Sequence, residues 1–253
     1  MSFVGKVVLI TGASSGIGAA TAIHLAKLGA SLSITGRNKD NLNKVAAQCG
    51  QSKTFIVTGE LTNENDVKNI IEQTIKHYGK LDVLVNNAGC LEAGSIESTS
   101  LEQYDRVFNL NVRSVYHLTM LATPYLIASK GNIVNVSSVT GLRSFPGVLA
   151  YCTSKSAVDQ LTRCVALELA EKQVRVNAVN PGVIVTNLHR TSGMNEEQLK
   201  NFFEHSKGTH ALGRTGDPTE VAKTIAFLAS DNASYITGAT LPVDGGRHVM
   251  CPR

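Results

Sequence analysis

Short apolar runs rich in β-branched residues recur along the chain at 6–11, 31–36, 53–59, 81–86, 131–137, 174–180 and 239–243. Each has the length and near-continuous apolar character of a strand buried on both faces, rather than the alternation of a half-exposed one. The stretches between several of them are long enough for crossover helices. Ala19 to Gly29, 101–128 and 150–172 read as three of these, with weaker helical periodicity over Glu196 to Phe203. Strands alternating with helices predict an α/β fold: a doubly wound parallel sheet of seven strands with helices on both faces. Right-handed crossovers bring the carboxyl ends of all parallel strands to one edge, where ligands bind at the switch in strand order.

Several polar or glycine-rich segments fall just after a predicted strand and therefore converge on that edge. The first strand breaks at Gly12-Ala13-Ser14-Ser15-Gly16-Ile17-Gly18. A glycine-rich turn between strand and helix lets backbone N–H groups and the helix dipole approach a pyrophosphate, although such turns also occur where nothing binds. Its Gly-x-x-x-Gly-x-Gly spacing differs from the Gly-x-Gly-x-x-Gly of larger dehydrogenases, and no Gly-Lys-Ser/Thr follows. Asn86-Asn87-Ala88-Gly89, Ser138 and Pro181-Gly182 sit in equivalent places after later strands. Tyr151 and Lys155, four residues apart, share one helix face. A nearby ammonium is expected to pull a phenol with a pKa of about 10 toward the neutral range, making an acid–base pair; the same spacing also arises by chance on amphipathic helices.

Together these residues resemble the single-domain branch of the short-chain dehydrogenase/reductase family, over essentially the whole chain. Thr11 to Gly18 resembles its cofactor motif and Asn86-Asn87-Ala88-Gly89 its second signature. Asn111, Ser138, Tyr151 and Lys155 fall in the order and spacing of its catalytic tetrad, and Pro181-Gly182 with Thr186 resembles its nicotinamide-side segment. The resemblance implies a Rossmann-type fold in one domain, 1–253, and an oxidoreductase interconverting a ketone and a secondary alcohol by hydride transfer. It makes Tyr151 the general acid/base, with Lys155 lowering its pKa and holding the nicotinamide ribose. Ser138 would orient and polarise the carbonyl, and Asn111 would hold a water in a proton relay. It implies cofactor contacts from Gly12, Ser14, Ile17 and Gly18 at the pyrophosphate, Asn87 and Gly89 near the ribose, Glu60 and Leu61 beside the adenine, and Val183 and Thr186 at the carboxamide. Ile17 also reads as a core residue, and Ser138 as a turn cap.

The second predicted strand ends Ile34-Thr35-Gly36-Arg37. An acidic residue at this place accepts hydrogen bonds from a ribose 2′-hydroxyl, whereas a neighbouring arginine attracts a 2′-phosphate. Gly36 followed by Arg37 therefore predicts NADP(H) in preference to NAD. Two features temper this: Ser15 stands where many NADP-using relatives carry a basic residue, and Asp40 would oppose a phosphate if it pointed inward. Glu60 stands where the family usually has aspartate, so the Leu61 backbone is expected to contribute to adenine binding.

The chain has 253 residues and a net charge of +4, with its cations scattered, which offers no nucleic-acid face. Five cysteines at 49, 90, 152, 164 and 251 have no C-x-x-C spacing, and the seven histidines have no metal-ligand spacing, so neither a disulfide framework nor a metal site is expected. Cys90 and Cys152 adjoin the expected site, where thiol reagents would act. No apolar run approaches the ~18 residues that span a bilayer, and a signal sequence is not evident, which predicts a cytoplasmic protein without membrane association.

For the substrate, the resemblance implies a mobile lid over 187–212. Leu188, Phe202 and Phe203 read equally as pocket lining or as the buried side of a short helix, and Ser144, Phe145, Val148 and Leu149 precede Tyr151 near the same pocket. No polar anchor is evident, so an apolar or amphiphilic small-molecule carbonyl is expected, whether 3-oxoacyl, steroid-like or small. Residues 235–246 resemble the end of 3-oxoacyl-carrier-protein reductases, and the family implies a homotetramer joined through helices 101–128 and 150–172. Two other functions stay open on sequence: an NAD-linked alcohol dehydrogenase, and a cofactor-binding redox sensor without turnover. Retention of both Tyr151 and Lys155 weighs against the second.

Overall fold

A computed structural model describes residues 1–188 and 192–251. Seven parallel strands form one sheet in the order β3-β2-β1-β4-β5-β6-β7. These are β1 (Val7–Thr11), β2 (Ser31–Gly36), β3 (Thr54–Thr58), β4 (Val83–Asn86), β5 (Asn132–Val136), β6 (Arg175–Pro181) and β7 (Thr240–Val243). Every predicted strand is present within one or two residues of its expected limits. The reason is physical: β1, β4 and β5 are buried along their whole length, so their sequences carry no polar alternation.

Helices cover both faces of the sheet: α1 (Gly16–Lys27), α2 (Lys39–Gln48), α3 (Glu64–Tyr78), α4 (Leu101–Phe108), α5 (Ser114–Ser129), the short α6 (Val139–Leu142), α7 (Leu149–Leu169), α8 (Glu196–Gly208) and α9 (Pro218–Ala229). One core packs α1 and α9 on one face through Leu25, Val221 and Ile225, and another packs α3 and α5 on the opposite face through Ile70, Leu118 and Leu126. The progression of successive strands across the sheet reverses between β1 and β4. The turns that follow those two strands therefore flank a crevice at the carboxyl edge.

The segment expected as one helix over 101–128 departs from regular α geometry. Between α4 and α5 the chain makes a π turn over Asn109–Arg113, with Asn111 inside it and wholly buried. Single π turns within helices recur at functional sites. The helix expected over Glu196 to Phe203 is longer, running Glu196–Gly208 behind a capping box formed by Asn195 and Gln198. Of the segment expected as a lid, residues 189–191 lie outside those described.

Candidate active site

The β1–α1 turn is shaped by what glycine leaves out. Gly12 has φ of 63°, and a Cβ there would lie 2.8 Å from the Ala88 Cα; one on Gly18 would lie 2.4 Å from both the Gly12 carbonyl oxygen and the Asn87 amide nitrogen. Two neighbouring strand ends can thus close on each other. Thr11 fastens them: its Oγ accepts hydrogen bonds from the Asn87 and Ala88 backbone N–H groups at 3.0 and 3.1 Å. The Asn87 side chain donates back to the Thr11 and Gly12 carbonyls at 2.8 and 3.2 Å. Asn87 thus uses its side-chain N–H groups to close the turn while also lining the cavity in front of it.

The turn opens into a cavity of about 280 Å³ lined by Gly12, Ser14, Gly16, Ile17, Arg37 and Leu61 at one end and by Gly89, Ser138, Tyr151, Lys155 and Thr186 at the other. The fit to a dinucleotide rests on the backbone. No acidic residue occupies the first turn of α1, Ser15 makes no side-chain cap there, and Gly16, with φ of 55°, leaves the helix N-terminus uncovered. Such an end favours a pyrophosphate. Ile17 lines the cavity and also packs on the core.

At the far end of β2, Arg37 meets Glu60 rather than standing alone. Its Nη1 lies 3.4 Å from Glu60 Oε2, with 77% and 38% of the two side chains exposed, which makes a weak, screened pair. The Glu60 backbone N–H donates to Asp66 at 2.8 Å. Glu60 thus partners the arginine proposed for a 2′-phosphate, a role beyond the adenine contact expected of it. Asp40 is exposed and does not line the cavity. Leu61 is buried and does.

Around the phenol, α7 carries Tyr151 and Lys155 inward, both nearly inaccessible to solvent. The Lys155 ammonium donates to the Val136 carbonyl at 2.9 Å and lies 5.7 Å from the centroid of the Tyr151 ring. Burial pushes the Tyr151 phenol up to about 12, outweighing the Ser138 hydroxyl that favours the phenolate, and pushes Lys155 down to about 8. The expectation that Lys155 lowers the phenol's pKa is thus corrected for the protein by itself. With both groups out of water, loss of solvation governs each and shifts each toward its neutral form.

Ser138 caps α6, accepting from the Thr140 N–H at 3.1 Å, so its expected turn-capping role is present alongside its place in the site. Asn111 clamps the loop after β4: its Oδ1 accepts from the Cys90 N–H at 2.9 Å, and its Nδ2 donates to the Cys90 carbonyl at 2.9 Å and to Ser154 Oγ at 3.1 Å. A Cβ on Gly89 would stand 3.1 Å from that Oδ1 and 3.5 Å from the Lys155 ammonium nitrogen, so the loop passes close over both.

Sequence reasoning missed a second layer. Asn180 donates to the Ser138 carbonyl at 2.9 Å and to both oxygens of buried Asp159 at 3.1 and 3.0 Å. Asp159 lies one helical turn beyond Lys155, and that i, i+4 step from a basic residue was the one available signal. Also missed was His210, whose Nε2 accepts from the Val183 N–H at 3.1 Å while Nδ1 faces the Ser206 carbonyl at 2.6 Å. Burial holds this histidine's pKa below 6.5. Burial raises the Cys90 thiol too, which makes its reactive thiolate scarcer, and Cys152 is buried.

A second, larger cavity of about 630 Å³ adjoins the first. Ser138, Tyr151, Gly182 and Leu188 line both, so the phenol stands at their junction. Phe145, Val148, Val183 and Phe202 line the larger one. Phe203 packs against Phe202 with ring centroids 5.7 Å apart and, like Ser144 and Leu149, is not part of the lining.

This geometry agrees with the comparisons. A family model described as enoyl-(acyl carrier protein) reductase matches residues 12–248. The 3-oxoacyl-(acyl-carrier-protein) reductase FabG of Thermotoga maritima is 39% identical over 251 residues, covering 97% of this chain and 99% of the relative. The chain belongs to the short-chain dehydrogenase/reductase family. A short-chain dehydrogenase/reductase of unknown function from Caenorhabditis elegans, solved with cofactor, superposes with a TM-score of 0.93 at 37% identity, covering 98% of this chain and 97% of the other. The 3-ketoacyl-(acyl-carrier-protein) reductase of Brucella melitensis, solved with NADH, gives a TM-score of 0.89 at 35% identity, covering 98% of this chain and all of the other. The seven-stranded parallel sheet with helices around it thus matches the fold of these dehydrogenase/reductase structures.

Proposed function

We propose that the chain is an NADP(H)-dependent oxidoreductase that interconverts a ketone and a secondary alcohol, working as a single domain of 1–253. The observation that carries this reading is the place of Tyr151 and Ser138 on the wall shared by the cavity at the Gly-rich turn and a mainly apolar one. A proton donor for carbonyl reduction must touch the carbonyl oxygen while the hydride donor lies beside it. Bound reduced nicotinamide supplies the hydride. Gly12, Ser14, Gly16 and Ile17 would hold its pyrophosphate, Arg37 a 2′-phosphate, and Gly89, Thr186 and Lys155 the nicotinamide end. Val183 would serve that end from the substrate side.

Tyr151 gives its proton to the carbonyl oxygen in reduction and takes it back in oxidation, and Ser138 donates to the same oxygen. In the protein by itself the phenol is protonated across the neutral range, which suits the reductive direction. Asn111 holds the loop that carries Gly89 and Cys90, and so the roof over Lys155. An NAD-linked reaction is the second reading, favoured by the Glu60 carboxylate beside Arg37, which competes with a phosphate for that cation.

Exposed apolar residues on α5 and α7, namely Tyr116, Met120 and Leu167, support self-association through these helices, which we take to be tetrameric. Among the described residues no helix is long and apolar enough to cross a membrane, and all five cysteines are unpaired, which supports a cytoplasmic setting. Fluorescence titration with NADPH and NADH, followed by a carbonyl panel read at the nicotinamide absorbance, tests the proposal. Tighter NADPH binding with turnover is expected. Failure to bind either nucleotide would refute it.

A further inference from the structure

The larger cavity is walled mainly by apolar side chains, among them Leu91, Val139, Phe145, Pro146 and Val148, yet it contains one ionic group. Among the described residues Arg247 is the only charged side chain in its lining. Its guanidinium stacks on the Phe145 ring, 4.6 Å from the centroid. Its Nε is buried without a hydrogen-bond partner among the described residues. A guanidinium brought into an apolar pocket with a donor left over is costly unless something anionic completes it.

The obvious internal partner is engaged elsewhere. Asp244 lies close enough to favour the charged arginine. Its Oδ1 nevertheless accepts from the Gly246 N–H at 3.0 Å, and its Oδ2 from the His248 N–H and Nδ1 at 2.6 and 2.9 Å. Those bonds hold the loop after β7 in place. The same loop is tied by Arg143 to the His248 carbonyl and by the Leu212 N–H to the Gly245 carbonyl at 3.0 Å. Arg247 is therefore presented from a fixed backbone, and its planar fork matches a carboxylate.

We propose that the substrate is an oxo acid, with the corresponding hydroxy acid as its reduced form, whose carboxylate pairs with Arg247 while its ketone meets Tyr151 and Ser138 and its hydrocarbon portion lies on the apolar wall. This rests on the oxidoreductase reading of the same site. In the step itself the ketone carbon accepts a hydride from reduced nicotinamide and the oxygen accepts a proton from Tyr151. The C=O π bond becomes a C–H and an O–H bond, the nicotinamide is oxidised by two electrons, and the carboxylate is unchanged. A cavity of about 630 Å³ falls within the range of small-molecule sites.

Two measurements on the full chain separate the anion site from the turnover. Calorimetric titration with hexanoate and hexanamide, neither of which can be reduced as a ketone, is expected to show at least about tenfold tighter binding of the carboxylate to the wild type. That ratio should fall toward one in Arg247→Met and survive in part in Arg247→Lys, with thermal melts establishing that each variant is folded. Equal binding of acid and amide by the wild type, or an undiminished ratio in folded Arg247→Met, would overturn the proposal. Turnover of straight-chain oxo acids against their methyl esters is the second arm. Preference for the acids, lost in Arg247→Met, supports the proposal, whereas esters turned over as well as acids would overturn it and leave the oxidoreductase reading standing. Carboxylate binding without turnover of any acid or ester would overturn the oxo-acid substrate, whereas the oxidoreductase reading is decided by nucleotide binding and the wider carbonyl panel.

Discussion

Asn111 grips Cys90 by both ends of one peptide residue, accepting from its N–H and donating to its carbonyl, each at 2.9 Å. The grip depends on the π turn, which places the amide inside a helical segment without tying it to the helix's own backbone. Removing it frees the loop over Lys155. Asn111→Leu is expected to lower kcat by about 10²-fold through misplacement of the roof over the reacting groups. The matching structural sign is faster amide exchange at Gly89 and Cys90. Unchanged exchange there would separate any activity loss from the clamp.

Charge at the adenine end gives a second expectation. Arg37→Ala should raise the KM for NADPH more than that for NADH. Glu60→Gln, which removes the competing carboxylate 3.4 Å from Arg37, should lower the KM for NADPH. Both changes are expected to be modest, about 1 kcal/mol or less, because the pair is exposed. Equal effects of Arg37→Ala on the two nucleotides would remove the argument for NADP(H).

Lys155 carries a stability cost that varies with pH. Burial lowers its pKa from 10.5 to about 8, so between those values the unfolded chain keeps a proton that the folded chain has released. Stability therefore rises with pH across that window, and below about 8 the cost of burying the ammonium is fully present. Lys155→Met should abolish turnover yet stabilise the protein by about 1–3 kcal/mol at neutral pH, even with the bond to Val136 lost. Thermal melts at several pH values should show the gain shrinking from pH 8 toward 10.5. A gain independent of pH would contradict the assigned titration.

Thr11 is the hydroxyl that holds the two strand ends together. Thr11→Val keeps the shape of a residue that is 1% exposed but leaves the Asn87 and Ala88 N–H groups without their acceptor. A loss of about 1–3 kcal/mol in stability is expected, with weaker nucleotide binding. Chemical denaturation and cofactor titration measure the two effects, and a neutral result in both would show that the turn closes without it.

What was legible in the sequence was whatever has a local cause. Parallel strands such as Val83–Asn86 announce themselves because burial on both faces favours a near-continuous apolar run over alternation, and the Gly12 to Gly18 turn because only glycine permits its close contacts. Tyr151 and Lys155 were found from a spacing that the helix converts directly into proximity. The Thr11 bridge and Arg247 were not, since each joins positions more than seventy residues apart by hydrogen bonds or cavity shape that leave no periodic trace, and of the Asp159–Asn180–Ser138 layer only the step from Lys155 to Asp159 leaves one. The same holds for the Tyr151 pKa. Its direction depends on how much water the fold removes, and four-residue spacing is silent about that.

The most direct test of the central claim compares wild type with Tyr151→Phe, measuring NADPH binding by fluorescence and carbonyl reduction by the nicotinamide absorbance. The account predicts nearly intact cofactor affinity with turnover reduced by at least about 10²–10⁴-fold, the contribution of a positioned proton donor. A phenylalanine variant that binds NADPH and reduces the carbonyl at the wild-type rate would contradict it.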